Sequence, residues 1–214
     1  LMEGVSFEAA ELAGLWKLGK LIYIFDDNNI SIDGNVEKVS VTDQSAKFQS
    51  LGWHVQEIDG HDENQIINAV KDARDNTSKP SLIIAKSTIG KHSPNKQNTS
   101  GVHGSPLGSD EMEQFLENLG WTRDAFDHSQ EIYDYFNEKR DMDNGKHDEW
   151  VSLLEEKIKT NDDFAILWKE FINKKIEFSH SQKYDRKATR VTGSEVLKSI
   201  GESNRFILGG SADL

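Results

Sequence analysis

Two oxygen donors follow an apolar run near the start of the chain. The run over Leu21–Phe25 stops at Asp26, Asp27 and Asn28, and Ile30 lies two residues after Asn28. This pattern is typical of a buried strand whose C-terminal end carries polar side chains, the end where ligands of α/β proteins bind. The amide oxygen of Asn28 and the backbone carbonyl of Ile30 are hard ligands, suited to Mg²⁺ carrying a diphosphate, with Ca²⁺ as a second possibility. The alternative is a plain strand-to-loop turn in which Asn28 bonds to its own backbone.

Helices and strands alternate around these donors. Apolar periodicity, turn residues and capping residues predict, in order, a helix over 6–18, a strand ending at Asp26, a helix from Thr42 or Asp43 to about Leu51, a strand over 53–58, a helix over 62–75 and a strand over 82–85. Alternation at these lengths indicates an α/β fold, with a parallel sheet and flanking helices.

The second half of the chain lacks this alternation. A polar loop over 87–108 holds two prolines and four glycines, and loops of this length are usually functional or disordered. Several polar helices are expected over 110–175, then a helix around 195–200, and Phe206 is expected to open a new strand. We therefore divide the chain into an α/β domain over 1–120, a helical connector over 121–185 and the start of a further domain over 186–214.

Composition excludes several classes of protein. The net charge of −12 over 214 residues argues against nucleic acid as a partner, because no basic face is available to neutralise phosphates. The absence of cysteine excludes disulfides, thiolate metal sites and a cysteine nucleophile, and it is consistent with the cytoplasm. No apolar run approaches the roughly 18 residues of a membrane span. Any anionic substrate would need cations of its own at the binding site.

Several motifs, taken in order, resemble those of transketolases. They are 2–6 (MEGVS), 17–22 (KLGKLI), 26–34 (DDNNISIDG), 52–55 (GWHV), 58–62 (IDGHD), 79–82 (KPSL), 88–90 (TIG), 93–96 (SPNK), 103–108 (HGSPLG) and 209–214 (GGSADL). The match is weakest over 122–187. The resemblance implies that 1–120 is most of the diphosphate-binding domain of a thiamine-diphosphate-binding fold, and that 186–214 begins the pyrimidine-binding domain.

The resemblance also implies an activity and roles for particular residues. The family transfers a two-carbon ketol unit between sugar phosphates in the cytoplasmic pentose phosphate pathway, using thiamine diphosphate and Mg²⁺ bound by a homodimer. Asn28 would ligate Mg²⁺ and touch the cofactor diphosphate, and Ile30 would add its carbonyl. His103 would reach both the diphosphate and the sugar in a catalytic role, and Arg190 would bind the sugar phosphate. The alternatives are that His103 is a solvated histidine on a loop and that Arg190 belongs to a basic helix start.

Two further positions are interface candidates by the same resemblance. Glu3 would lie at the subunit interface, although a glutamate there could equally face a helix N-terminus. Asp213 would approach the cofactor held by the partner subunit. One departure concerns the loop after Gly90, where Lys91 and His92 replace the small or aromatic residues of the family.

The chain by itself is expected to be catalytically incomplete. The family's metal-binding carboxylate and the glutamate that activates the aminopyrimidine fall outside the positions that this sequence matches, so we expect weak or no cofactor binding by the isolated chain. Alternatives are a piece of a deoxyxylulose-phosphate synthase or of a phosphoketolase, or a non-catalytic dimerisation module. A generic nucleotide-binding domain is disfavoured, because Gly-x-Gly-x-x-Gly and a phosphate-loop lysine are absent.

Overall fold

The computed structural model describes residues 4–173, 186–207 and 209. The chain divides into two units, Leu1–Ala125 and Phe126–Leu214. The elements of the first unit are α1 (Ser6–Leu15), β1 (Ile22–Asp27), β2 (Ile30–Ser31), β3 (Gly34–Asn35), α2 (Gln44–Ser50), β4 (His54–Asp59), α3 (Glu63–Asp75), β5 (Ser81–Lys86) and α4 (Ser109–Asn118). Those of the second unit are α5 (Gln130–Thr160), α6 (Asp162–Asn173) and α7 (Thr189–Ser203).

A parallel sheet with the strand order β1-β5-β4 forms the centre of the first unit. Ile22 and His54 both lie opposite Ser81, and the three strands finish level with one another, at Asp27, Lys86 and Asp59. The central strand β5 is apolar and almost fully buried over Ser81–Ile84, as expected for a parallel strand covered on both faces. The predicted α/β fold with a parallel sheet and flanking helices is confirmed.

The strand β1 departs from the prediction of a buried strand. Tyr23 is 46% exposed and Ile24 is 57% exposed, because β1 pairs with β5 alone among the described residues and so forms an edge of the sheet. An apolar run shows that a segment has strand character, but it does not show whether the strand lies at the centre or at the edge of the sheet.

Side chains of β5 alternate between two apolar clusters, one on each face of the sheet. Leu82 and Ile84 pack with Ala10 and Ala13 of α1 and with Phe48 and Trp53. On the opposite face, Ile83 packs with Ala69 and Ala73 of α3. The first cluster is also tied by a hydrogen bond, since the Trp53 Nε1 donates to the carbonyl of Ala10 at 2.8 Å.

Aspartates define the starts of two helices. Asp43 caps α2 by accepting from the Ala46 amide at 2.9 Å, which decides between the two predicted starts. Asp62 caps α3 by accepting from the amides of Asn64 and Gln65. Side-chain capping of this kind satisfies amides that have no partner in the first helical turn.

The second unit is helical. The long helix α5 packs against α6, and Trp150 contacts Trp168 edge to face with ring centroids 6.4 Å apart. The helix α7 begins at Thr189, earlier than predicted, so that Arg190 lies in its first turn. The predicted strand is not formed at Phe206, which lies in a turn, or at Ile207; Leu208 lies outside the described residues. No strand of the second unit is available to pair with this segment within the described ranges.

The division between a connector over 121–185 and a further domain from residue 186 stays a prediction, since 126–185 and 186–214 both fall in the second unit. None of the helices in the described part of the chain combines the length and the apolar character that a bilayer span requires.

Candidate functional site

Asn28 lies in the turn that follows β1, and both halves of its side-chain amide are engaged. Its Oδ1 accepts from the amide of Ile30 at 3.0 Å, and its Nδ2 donates to Oδ2 of Asp26 at 3.1 Å. Asn29, the next residue, has a positive φ of 58°, which an asparagine tolerates. The turn is therefore an Asx turn with a fixed amide orientation. An amide oxygen has two lone pairs, so Oδ1 can accept from Ile30 and still bind a cation.

The carboxyl edge, the end of the sheet where β1, β5 and β4 finish, is joined by polar contacts between strands. The hydroxyl of Ser87 donates to Asp26, and the amide of Ser87 donates to the carbonyl of Asp27 at 3.2 Å. The amide of Gly60 donates to the carbonyl of Lys86 at 2.8 Å. Asp26 thus links the end of β5 to the amide of Asn28, and it fixes which end of that amide is the oxygen.

His61 anchors the start of the following loop. Its backbone amide donates to Asp59 at 2.9 Å, in a turn before α3, and its Nε2 accepts from the amide of Thr88 at 2.9 Å. The ring nitrogen that accepts from this backbone amide carries no proton, so a proton on the ring lies on Nδ1. His61 therefore has a structural role in joining β4 to the loop.

Ile30 lies in the short hairpin of β2 and β3, where it pairs with Asn35. Its side chain is buried, which anchors the hairpin. The amide of Val36 donates to the carbonyl of Asn29 at 3.0 Å, at the end of the hairpin that adjoins the Asx turn. The backbone around the two candidate ligands is thus held by hydrogen bonds on both sides.

His103 lies on the loop over 87–108, which we call the histidine loop. It follows a single 3₁₀ turn at Ser100–Val102, and its amide donates to the carbonyl of Ser100 at 3.1 Å. The side chain is exposed. Gly104 has a positive φ of 74°, and a Cβ built there would meet nothing within 4 Å. Glycine therefore suits this position because of its backbone conformation, and not because a larger side chain would lack space.

Glu111 organises the histidine loop, and the sequence did not single it out. Its Oε1 accepts from the hydroxyl of Ser93 and from the amides of Asn95 at 2.8 Å and Lys96 at 3.2 Å. Its Oε2 accepts from Nδ2 of Asn95 at 3.0 Å. The bond from Ser93 and then those from Asn95 lower the pKa of Glu111 to about 2. From the sequence it is an ordinary acidic residue in the first turn of a helix, where glutamate is common.

No described contact joins His103 to Asn28 or Ile30 at the carboxyl edge. Arg190 is exposed in the first turn of α7, in the second unit. Glu3 and Asp213 lie outside the described residues. No cluster of three or more histidine, aspartate or glutamate side chains suited to a metal occurs within 4–173, 186–207 and 209.

A cation at the carboxyl edge would therefore depend on neutral oxygens. The amide oxygen of Asn28 and the carbonyl of Ile30 are such donors, and both belong to one hydrogen-bonded turn at the sheet end where ligands of parallel α/β proteins bind. Mg²⁺ usually keeps several non-protein ligands, among them phosphate oxygens. The donor set thus fits Mg²⁺ that arrives with a diphosphate better than it fits a free ion.

Comparison with known proteins identifies the family of this chain. Residues 1–176 match the sequence model of the family described as "Transketolase, thiamine diphosphate binding domain". Transketolase 1 of Escherichia coli K12 is 38% identical over 236 residues, covering 100% of this chain and 34% of that protein. Transketolase 1 of Pasteurella multocida Pm70 is 51% identical over 134 residues, covering 62% of this chain and 20% of that protein.

Solved structures show the same relationship. The transketolase of Leishmania mexicana superimposes with a TM-score of 0.84 at 29% identity, over 100% of this chain and 33% of that one. A Pichia stipitis transketolase in complex with sedoheptulose 7-phosphate gives a TM-score of 0.83 at 35% identity, over 99% and 33%. The fold and the matched domain define a thiamine-diphosphate-binding α/β protein. The chain belongs to the transketolase family, and it spans about a third of the length of the curated relatives it matches.

Proposed function

We propose that the complete polypeptide containing this chain transfers a two-carbon ketol unit from a ketose phosphate to an aldose phosphate. The observation that carries the proposal is the match of residues 1–176 to the thiamine-diphosphate domain of transketolases, and the position of Asn28 at the carboxyl edge is consistent with it. Pichia stipitis transketolases have been solved in complex with fructose 6-phosphate, xylulose 5-phosphate and sedoheptulose 7-phosphate. Sugar phosphates of this class are the proposed substrates.

In this proposal, five residues of the chain bind or orient ligands. Asn28 and Ile30 hold Mg²⁺ through neutral oxygens, and Asp26 fixes the orientation of the Asn28 amide by accepting from its nitrogen. Thiamine diphosphate, when bound, supplies the carbon nucleophile of the reaction. His103 donates to a phosphate oxygen or to a sugar hydroxyl. The guanidinium of Arg190 binds the sugar phosphate through two parallel hydrogen bonds.

We further propose a cytoplasmic homodimer, by analogy with the family. Glu3 would contribute to the contact between subunits, and Asp213 would approach the cofactor of the partner. The isolated chain is proposed to be inactive, because the two neutral oxygens of Asn28 and Ile30 are a weak site for a strongly hydrated dication.

The test compares the isolated chain with the complete polypeptide. With Mg²⁺, thiamine diphosphate and xylulose 5-phosphate, the complete polypeptide should pass a ketol unit to an aldose phosphate, and the isolated chain should not. In calorimetry, the isolated chain should bind the cofactor more weakly than a Kd of about 1 μM, which corresponds to about 8 kcal/mol. Tighter binding would contradict the predicted incompleteness. A complete polypeptide that dimerises but transfers nothing would favour a non-catalytic dimerisation module.

Arg190→Lys should lower kcat/KM for a phosphorylated acceptor by about tenfold more than for an unphosphorylated one, because an ammonium cannot replace the paired guanidinium bonds to phosphate. The measurement is steady-state transfer by the complete polypeptide with the two acceptors. Arg186→Lys, at an exposed arginine just before α7, is the matched control and should change neither value. Equal losses on both acceptors would remove Arg190 from the phosphate site.

A further inference from the structure

A buried carboxylate outside the proposed ligand set holds the first half of the histidine loop. Glu111 is 8% exposed and Ser93 is 2% exposed, so both polar groups are removed from water. The two carboxylate oxygens accept four hydrogen bonds from Ser93, Asn95 and Lys96. All four partners are donors, and only a group that accepts at both oxygens satisfies them.

The same anchor also holds the far end of the loop. The amide of Lys96 donates to Glu111, and Nζ of Lys96 donates to the carbonyl of Leu107 at 2.7 Å. The segment over 97–106, which carries His103, is therefore closed at both ends through one lysine. Nδ2 of Asn118, at the end of α4, adds a bond to the carbonyl of His92 at 3.1 Å. Closing a loop in this way removes conformations in which its tip points elsewhere.

We propose that Glu111 is a positioning residue, whose carboxylate fixes Ser93–Lys96 and, through the link from Lys96 to Leu107, sets where the segment over 97–106 holds His103. This proposal rests on the proposed function, because Glu111 would affect catalysis only through the role assigned to His103. We call Glu111, Ser93, Asn95 and Lys96 the loop clamp.

The loop clamp should remain intact across the neutral range. Its hydrogen bonds hold the pKa of Glu111 near 2, below the ordinary value of 4.5. A carboxylate whose pKa is lower in the folded state contributes stability that is fully present above its unfolded pKa and is lost as the pH falls through its folded pKa. The loss should therefore occur between about pH 4.5 and pH 2. The charged group nearest in the clamp, the ammonium of Lys96, bonds to the carbonyl of Leu107.

The first experiment measures the loop in the 214-residue chain. Glu111→Gln leaves one acceptor oxygen and turns an NH₂ toward donors, so hydrogen exchange at the amides of Asn95 and Lys96 should accelerate by about tenfold or more. The NMR signal of the His103 ring should move toward the value of an unfolded peptide. Glu113→Gln, at an exposed glutamate on the same helix, is the control and should change neither. If Glu111→Gln does not fold, Ser93→Ala removes one donor of the clamp and should shift the same signals in the same direction.

The second experiment asks whether Glu111 acts through His103. In the complete polypeptide, Glu111→Gln should lower transfer when His103 is present and should cost little more in a His103→Ala background, because the two changes disable the same function. Additive losses, or unchanged exchange and an unmoved His103 signal in the first experiment, would overturn the proposal. A complete polypeptide without transfer activity would count against the proposed function alone, since the exchange and NMR readouts require no catalysis.

Discussion

Replacing Asn28 by alanine in the complete polypeptide should lower its affinity for Mg²⁺ with thiamine diphosphate by about 100-fold or more. The change removes the side-chain oxygen that we assign to the cation, and a 100-fold loss corresponds to about 2.7 kcal/mol. It also removes the bond from the Ile30 amide, so the carbonyl of Ile30, the second proposed ligand, loses its fixed position. Calorimetric titration with the cofactor at fixed Mg²⁺ measures the effect directly.

The controls separate loss of a ligand from loss of the turn. Asn64→Ala removes an exposed amide in the first turn of α3, with no described contact to Asn28 or Ile30, and should leave the affinity unchanged. Removing the turn bond alone should reduce the free energy of unfolding by only about 1 kcal/mol, which urea denaturation of the isolated chain reports. Cofactor affinity that survives Asn28→Ala within a factor of two would remove Asn28 from the proposed site.

Gly14→Ala should destabilise the first unit by about 2 kcal/mol, although the same change in a helix interior normally stabilises by about 1 kcal/mol. A Cβ built on Gly14 would lie 1.8 Å from the carbonyl oxygen of Leu51 and 3.0 Å from its carbon. These are backbone atoms, so α1 would have to move away from the segment that follows α2. That movement would disturb the apolar cluster in which Ala10 and Ala13 pack.

Gly145→Ala is the matched control for this reversal of sign. Gly145 lies within α5, and a Cβ built there meets nothing within 4 Å. The change should therefore raise the stability of its helix by up to about 1 kcal/mol, the ordinary difference in helix propensity. Urea denaturation of both variants, followed by circular dichroism, measures the two effects. A stabilising Gly14→Ala would show that α1 does not approach Leu51 this closely.

Local patterns predicted a large part of the first unit. The apolar runs located the three strands of the parallel sheet within one or two residues, and the capping residues Asp43 and Asp62 located two helix starts. The polar residues after β1 also predicted a turn, and Asn28 forms one through its own side chain. These features depend on neighbours a few residues apart, so they can be read from the sequence.

The candidate site was predictable in part. Asn28 and His103 could be named because their side chains stand in recognisable motifs, whereas Glu111 could not, because its partners Ser93, Asn95 and Lys96 lie 15 to 18 residues earlier in a loop without periodicity. The strand predicted at Phe206 is not formed. An apolar run was present there, but an apolar run alone does not provide the neighbouring strand with which a strand must pair.

By itself, the sequence determined the family and the order of the longer helices and strands of the first unit, and it proposed residues whose chemistry suits a diphosphate and its cation. The tertiary structure decided that β5, and not β1, is the central strand, that α1 approaches the backbone of Leu51 at Gly14, and that Glu111 holds the histidine loop. The physical reason is range: propensity and capping act between residues close in the chain, whereas strand order, close backbone approach and burial of a carboxylate depend on segments that only the fold brings together.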